Sequence, residues 1–584
     1  MSLKVYRYAA AALCVVSLAS AELYSYPWNS TIPHYNGSTV CRNLPGDRSW
    51  PGPQDWARLN ASVDGRLIAT VPLAAQCHGA LYDEVECEKI QATWTRPEPH
   101  WQDPASIQNS YWLNNSCSPF TPDAGCVNGN IADYSINVTN ADDVAAGVKF
   151  AQEKNIRLVI KNTGHDFLGR STGKGSLLLW THNLKDIKFL NYTSASYNGR
   201  AIKMGAGVQA FEAYAAAASN GVRVMGGFCP TVGLVGGYTQ GAGHGPLNGE
   251  YGLAADNTLE WEVVTAEGEH LVASKEQNSD LYWALSGGGG GTYAVVLSLT
   301  TKAHPDGPVG GGSLEFKSEN ISADKYWDAV EHFHAHLPAL VENQGLETVY
   351  TLSNASFYLN FLTWVDHTAE EVTALLAPIT DYLSANSIPY TPVITDHPTF
   401  YGHYSQYTPD LPFGVYPVNE IIGGRLVPYS VVEENNSGLV AALRNITSDP
   451  EWILNGVAAN TTHARVGNQP GDNAVLPAWR DNLVFFNLVR VWDPTSPISV
   501  LQEYERQMTY EKVPQLDRLT PGSGTYINEG DFNNPKWKLD YFGSNYDQLL
   551  AVKKKYDPND LFYAIASVGN DVWEVAGDGR LCRA

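Results

Sequence analysis

The chain has 584 residues, 44% hydrophobic and only 17% charged, which supplies apolar material for more than one core and excludes a disordered tail protein. Lys and Arg number 38 against 61 Asp and Glu, and the resulting charge of −23 opposes a phosphate backbone, arguing against nucleic acid as the main partner. Two large domains, or one elaborated one, are expected, with the acid excess serving solubility.

Residues 1–21 read as a secretory signal: Lys4 and Arg7 begin it, Ala9 to Leu18 form its apolar middle, and Ala19-Ser20-Ala21 is a small-residue cleavage site. The apolar run is too short to span a bilayer, and no later stretch approaches the roughly 20 uninterrupted apolar residues a membrane helix needs. A soluble, secreted, extracellular protein without a membrane partner is therefore expected. Asn-x-Ser/Thr acceptors at Asn29, Asn36, Asn60, Asn114, Asn137, Asn191, Asn320, Asn354, Asn435, Asn445 and Asn460 agree with N-glycans added in a eukaryotic secretory pathway. Cys14 leaves with the signal, so the mature chain keeps an odd number of cysteines. Spacing favours Cys77 with Cys87 and Cys117 with Cys126, leaving Cys41 with Cys582 by elimination and Cys229 alone.

After the N-terminal segment 22–124, an alternating α/β pattern starts at Asp133. It predicts a strand over Tyr134 to Val138, a helix from about Ala141 to Lys154 capped by Thr139 or Asn140, and a strand over Arg157 to Ile160. Further strands are expected at Ser176 to Trp180, Ala201 to Met204, Leu259 to Thr265 and Ala294 to Thr300, with an alanine-rich helix over Phe211 to Ser219. His304 to Pro308 with Gly310 to Gly312 reads as a Pro/Gly-rich hinge closing a unit over 125–304. Beyond it, strands at Thr348 to Leu352, Ser356 to Thr363 and Leu483 to Val491 alternate with helices at Lys325 to His336 and Ala369 to Ser384, which suggests an antiparallel sheet. A last helix is expected over Tyr541 to Phe562.

Two glycine-rich loops carry the chemistry. Lys161-Asn162-Thr163-Gly164-His165-Asp166 follows a predicted strand and offers unobstructed backbone amides, as a pyrophosphate cradle requires. The second runs from Gly226 to Gly252 and holds Gly227, Cys229, Gly233, Gly236, Gly237, Gly243 and His244, implying close backbone approach to something flat or phosphorylated. Other readings fail on their discriminating residues. Gly205-Ala206-Gly207 lacks the acidic residue about twenty positions on that a dinucleotide fold needs, and Gly287 to Gly291 lacks the P-loop lysine. His332 is followed by Phe333 rather than Glu, so no zincin metal site is expected and the histidines read as solvated. No Gly-x-Ser-x-Gly elbow is present.

These loops, together with Tyr251-Gly252-Leu253-Ala254-Ala255-Asp256-Asn257, Asp280 to Leu285, Tyr526-Ile527-Asn528, Tyr541-Phe542-Gly543 and Tyr556-Asp557-Pro558, resemble the vanillyl alcohol oxidase superfamily. The similarity is to its berberine bridge enzyme-like branch, with local text around Tyr238 to His244 similar to fungal isoamyl alcohol oxidase-like members. The resemblance implies an α+β fold: a PCMH-type FAD-binding domain of two α/β subdomains over 125–304, a substrate domain over 305–525 with a helix-covered antiparallel sheet, and a C-terminal segment, 526–584, returning to the flavin domain. It implies FAD bonded twice, through His165 to the 8α-methyl and through Cys229 to carbon 6, which accounts for the unpaired thiol. Lys161, Asn162, Thr163, Gly164, Asp166, Gly227, Gly233, Gly236, Gly237, Gly243, His244, Gly252, Leu253 and Asn528 are then the remaining cofactor contacts.

The implied activity is an oxidase taking hydride from an alcohol carbon and returning electrons to dioxygen as hydrogen peroxide, with the redox chemistry carried by the flavin. Tyr526, Asn528 and Glu529 are the catalytic candidates. Glu529 stands where relatives often place an aromatic residue, and Tyr526, ordinarily near pKa 10, needs a cationic or hydrogen-bonding neighbour to act as a base. The alternatives are an oligosaccharide oxidase, for which Tyr358, Trp364 and Tyr404 would line an open groove, a polyketide or alkaloid oxidase, and a flavin- or carbohydrate-binding protein without turnover.

Overall fold

The computed structural model describes residues 41–414 and 418–584, so the signal segment and the acceptors Asn29 and Asn36 lie outside the described residues. Strands Tyr134–Asn137 and Arg157–Lys161 both pair in parallel with Ser176–Trp180, and helix Ala141–Glu153 makes the crossover between them. The Asn140 side chain caps that helix by accepting the Asp143 N–H at 3.0 Å. Leu67–Ala69 adds an antiparallel edge. A second sheet of five antiparallel strands follows, in the order Ile187–Thr193, Asn198–Gly205, Val295–Lys302, Thr258–Val264, His270–Ser274.

The third sheet has seven antiparallel strands, in the order Tyr390–His397, Val309–Lys317, Ser356–Val365, Leu346–Leu352, Trp452–Ala459, Asn482–Val491, Glu420–Pro428. Alternation along these strands divides their side chains between two faces. Tyr350 and Phe486 turn toward helix Ala323–Val341, where His334 is buried and bonds the Tyr350 hydroxyl at 2.9 Å. This corrects the reading of solvated histidines: burial depresses His334 to about 4, so it packs as a neutral ring. In-register residues Val349, Phe361, Val457, Phe485 and Asn487 share the opposite face, which is turned to the glycine-rich stretch at Phe228 and to the C-terminal turn at Glu529.

Two expectations change. Gly310 to Gly312 form no hinge; they run inside the strand Val309–Lys317. A Cβ on Gly310 would stand 2.8 Å from a Val372 methyl, so the glycine lets helix Ala369–Ala385 lie close against the sheet. The last helix is broken at Gly543, with φ +55, into Trp537–Phe542 and Tyr546–Tyr556. The structure pairs Cys41 with Cys582, Cys77 with Cys87 and Cys117 with Cys126, and leaves Cys229 unpaired. Among the described residues no helix is long and apolar enough to cross a membrane. Asn191 and Asn320 are exposed, whereas Asn460 is buried with its amide on the Glu342 carboxylate at 3.2 Å.

Candidate active site

Segments that are distant in sequence line one cleft of about 1030 Å³. The loop after Arg157–Lys161 supplies Asn162, Thr163, Gly164, His165, Asp166 and Arg170; the glycine-rich stretch supplies Gly233, Gly236, Gly237 and Gln240; the C-terminal turn supplies Tyr526, Asn528 and Glu529. Gly164 has φ +79, and a Cβ there would come within 2.9 Å of Lys161 Cε. That left-handed turn aims His165 into the cleft. A Cβ on Gly290 would meet Gly237 Cα at 3.1 Å, so these two bare backbones pack directly together and form one wall of the cleft.

His165 and Cys229 converge. His165 Nε2 lies 3.9 Å from Cys229 Sγ, with Thr231 Oγ1 bridging them at 2.6 Å from the nitrogen and 3.3 Å from the sulfur. Burial pushes His165 down to about 3, which keeps its imidazole neutral and nucleophilic, and pushes the Cys229 thiol up to about 11. Asn162 Oδ1, Arg170 Nη1 and Gln240 Oε1 are buried in the cleft walls without a protein partner. A flat slot edged by such donors and acceptors fits a flavin ring, whose rim carries carbonyls and ring nitrogens.

Glu529 accepts hydrogen bonds from His244 Nε2 at 3.0 Å and Asn487 Nδ2 at 2.7 Å, and its side chain keeps 25% of its exposure. Burial works to raise its carboxyl, but the charge and hydrogen bond of His244 and the amide of Asn487 outweigh it and hold the group below the usual carboxylate range. Tyr526 has the opposite environment. It is 2% exposed, its hydroxyl accepts the Asn528 amide at 2.8 Å, and burial and the Glu529 charge raise it further than Arg170 and that amide lower it. Asn528 is a tether: it donates to the Gly237 carbonyl at 2.9 Å and accepts from Arg170 Nη2 at 3.1 Å, fixing the C-terminal segment to the glycine loop.

Some expected contacts do not reach the cleft. The buried Lys161 ammonium turns the other way, onto the His100 carbonyl at 2.9 Å and the Asp103 carbonyl, and burial lowers it to about 7. Gly227 gives its carbonyl to the Tyr214 hydroxyl at 3.0 Å, Gly243 packs against Ala254 and the Tyr238 ring, and His244 stands behind Glu529. Gly252 and Leu253 belong to the turn that wraps the Asp256 carboxylate, which accepts the Leu253 N–H at 2.9 Å. Nor do the three expected groove aromatics line the cleft: Tyr404 is buried with its hydroxyl on the Phe228 carbonyl, Trp364 stacks on His367, and Tyr358 is exposed. Beside Cys229 stands instead an apolar wall of Val349, Phe361 and Val457 with Phe228 packed against it. Arg170 and Asn487 escape a reading by motif. Arg170 stands five residues after His165, which is a usable signal; Asn487 lies in an ordinary strand and has none.

The family models that match are "FAD binding domain" over residues 132–274 and "Berberine and berberine like" over residues 525–569. An Aspergillus clavatus protein, the FAD-linked oxidoreductase patO, is 45% identical over 547 residues, covering 94% of this chain and 95% of its own. The VAO-type flavoprotein oxidase VAO615 of Thermothelomyces thermophilus is 44% identical over 562 residues, covering 94% and 96%. The crystal structure of the VAO-type flavoprotein MtVAO615 from Myceliophthora thermophila superposes with a TM-score of 0.89 at 43% identity, covering 93% of this chain and 100% of that one.

Proposed function

Because the chain belongs to the FAD-linked oxidoreductases of the vanillyl alcohol oxidase and berberine bridge enzyme family, we propose that it is a secreted, N-glycosylated oxidase. In this reading it holds FAD through both His165 and Cys229 and oxidises an alcohol carbon, with dioxygen as the electron acceptor and hydrogen peroxide as the product. The observation that carries the reading is the approach of Cys229 to within 3.9 Å of His165, which lines a glycine-walled slot together with the ionised Glu529. Bound there, the flavin supplies hydride-accepting and dioxygen-reducing chemistry. The chain's part is to place and deprotonate the substrate. Glu529 reaches the cleft and accepts the hydroxyl proton, while His244 and Asn487 hold its two oxygens and fix its direction. Arg170 and Asn528 brace the turn carrying it.

The wall of Val349, Phe361, Val457 and Phe228 favours an alcohol with an apolar body over an oligosaccharide, whose hydroxyls would go unpaired there. Anaerobic addition of a panel of aliphatic, aromatic and sugar alcohols tests this: bleaching of the flavin band by an apolar alcohol, and peroxide on readmission of air, are the expected results. Binding without bleaching would leave a binder rather than an enzyme. For the attachment, acid-denatured protein stays yellow and His165→Ala with Cys229→Ala releases the colour to the supernatant; a wild-type supernatant that takes up all the flavin rules out covalent attachment.

A further inference from the structure

Glu420 opens the strand Glu420–Pro428 at the edge of the seven-stranded sheet. Its register against Val491, two pairs along from Ile422 with Val489 and four from Gly424 with Asn487, puts it on the same face as Asn487, the face turned to the cleft. Asn109 Nδ2 holds its carbonyl at 3.0 Å, which ties this strand end to the N-terminal segment. Its carboxyl lies within electrostatic reach of two groups, Cys229 from the glycine-rich loop and Glu529 from the C-terminal turn. Glu529 is occupied on both oxygens; the Glu420 carboxyl has no hydrogen bond or ion pair among the described residues, and no Lys or Arg balances it. A half-buried carboxyl left without a protein partner on the sheet face turned to the cleft is free to take one from what enters the site.

We propose that Glu420 is a specificity-determining residue whose carboxylic acid donates a hydrogen bond to an uncharged oxygen acceptor on the substrate, so that the site admits neutral molecules and rejects carboxylates. Burial, and then the neighbouring Glu529 charge, push its carboxyl up to about 8, so the donor proton is present at neutral pH. A substrate carboxylate beside Glu420 would meet the ionised Glu529, while His244 is already taken up by Glu529 and Arg170 is held by Asn528 and Asp166. The inference rests on the oxidase reading for the place of the substrate, but its test needs no turnover.

The test is calorimetric binding to the flavin-loaded protein of three ring compounds that carry no carbinol: benzamide, benzoate and benzylamine. Benzamide is expected to bind about tenfold more weakly at pH 9 than at pH 7, since one pH step above the carboxyl's value leaves about one acid in ten protonated. Glu420→Gln, which keeps a donor but does not titrate, should bind benzamide equally at both values, and benzoate should bind at least tenfold more weakly than benzamide at pH 7. The proposal fails if the wild type shows no pH slope, if the Gln variant keeps the slope, if benzylamine is preferred to benzamide at pH 7, or if none of the three binds. Bleaching of the flavin by alcohols in the Glu420→Gln protein at pH 7 separates the two readings, because an error in the oxidase assignment would abolish bleaching in the wild type as well.

Discussion

Glu529→Gln lowers the rate of flavin reduction by about 10²- to 10⁴-fold at pH 7, the range expected when a positioned proton acceptor is removed. Gln can still take the Asn487 amide on its oxygen, so the turn Ile527–Glu529 keeps its place and the loss is chemical rather than structural. Tyr526→Phe should cost far less, because burial holds that hydroxyl protonated and its contact is to Asn528 alone among the cleft side chains. Anaerobic stopped-flow reduction by the best alcohol of the panel measures both; a Tyr526→Phe defect larger than that of Glu529→Gln would transfer the role to the tyrosine. The pH profile adds a signed check. A carboxyl held below its ordinary value by His244 and Asn487 remains ionised as acid is added, so reduction is retained through the usual carboxylate range and lost only below it. The same depression contributes folding stability that is present above the unfolded carboxylate value and is lost as pH falls through the lower folded one. His244→Ala should move the acid limb upward, since the largest influence opposing burial is then gone.

Asp256→Ala destabilises the fold by about 3–5 kcal/mol, the cost of leaving one partner of a buried ion pair alone. Asp256 is the acid of the run Tyr251 to Asn257, and its side chain is 1% exposed against 7% for Arg480. Arg480 grips it with both nitrogens, at 3.0 and 2.8 Å, and the amides of Asn468 and Asn473 each donate at 2.7 Å. Burial works to raise this carboxyl, and Arg480 more than compensates, so the pair is ionised. Every one of those partners comes from beyond residue 305, which makes this cluster the polar clamp between the flavin-binding half and the sheet that covers the cleft. Thermal unfolding followed by flavin fluorescence should show a clear drop in midpoint for Asp256→Ala and for Arg480→Ala. The pair Asp256→Leu with Arg480→Leu should recover part of it, because no charge is then stranded. Equal midpoints for wild type and Asp256→Ala would exclude the clamp.

Much of the site is legible along the chain because its features are local. The strand ending at Lys161, the left-handed glycine that follows and the histidine after it are consecutive, so spacing alone indicates a loop built for close approach. The odd cysteine is a matter of counting, and the structure leaves Cys229 unpaired beside His165. Strand and helix periodicity places nearly every predicted element within a few residues of its observed limits, since burial on one face imprints a period of two or of about 3.6 on any segment. Glycine runs mislead where the reason for glycine is remote: Gly310 to Gly312 look like a hinge until Val372 and its helix are seen resting on them.

What the amino-acid order determined by itself is therefore the set of local conformations and the inventory of reactive groups. Only the tertiary structure decided what those groups do. It brings His244 and Asn487 to Glu529 across 285 and 42 residues, turns Lys161 away toward His100 and Asp103, and sets Glu420 on the same sheet face as Asn487. Ionisation and direction depend on burial and on neighbours in space, and the energy of either changes by whole kcal/mol over a few ångströms. Separation along the chain carries no record of those distances, so chemistry that rests on them emerges only when the sheets have closed over the slot.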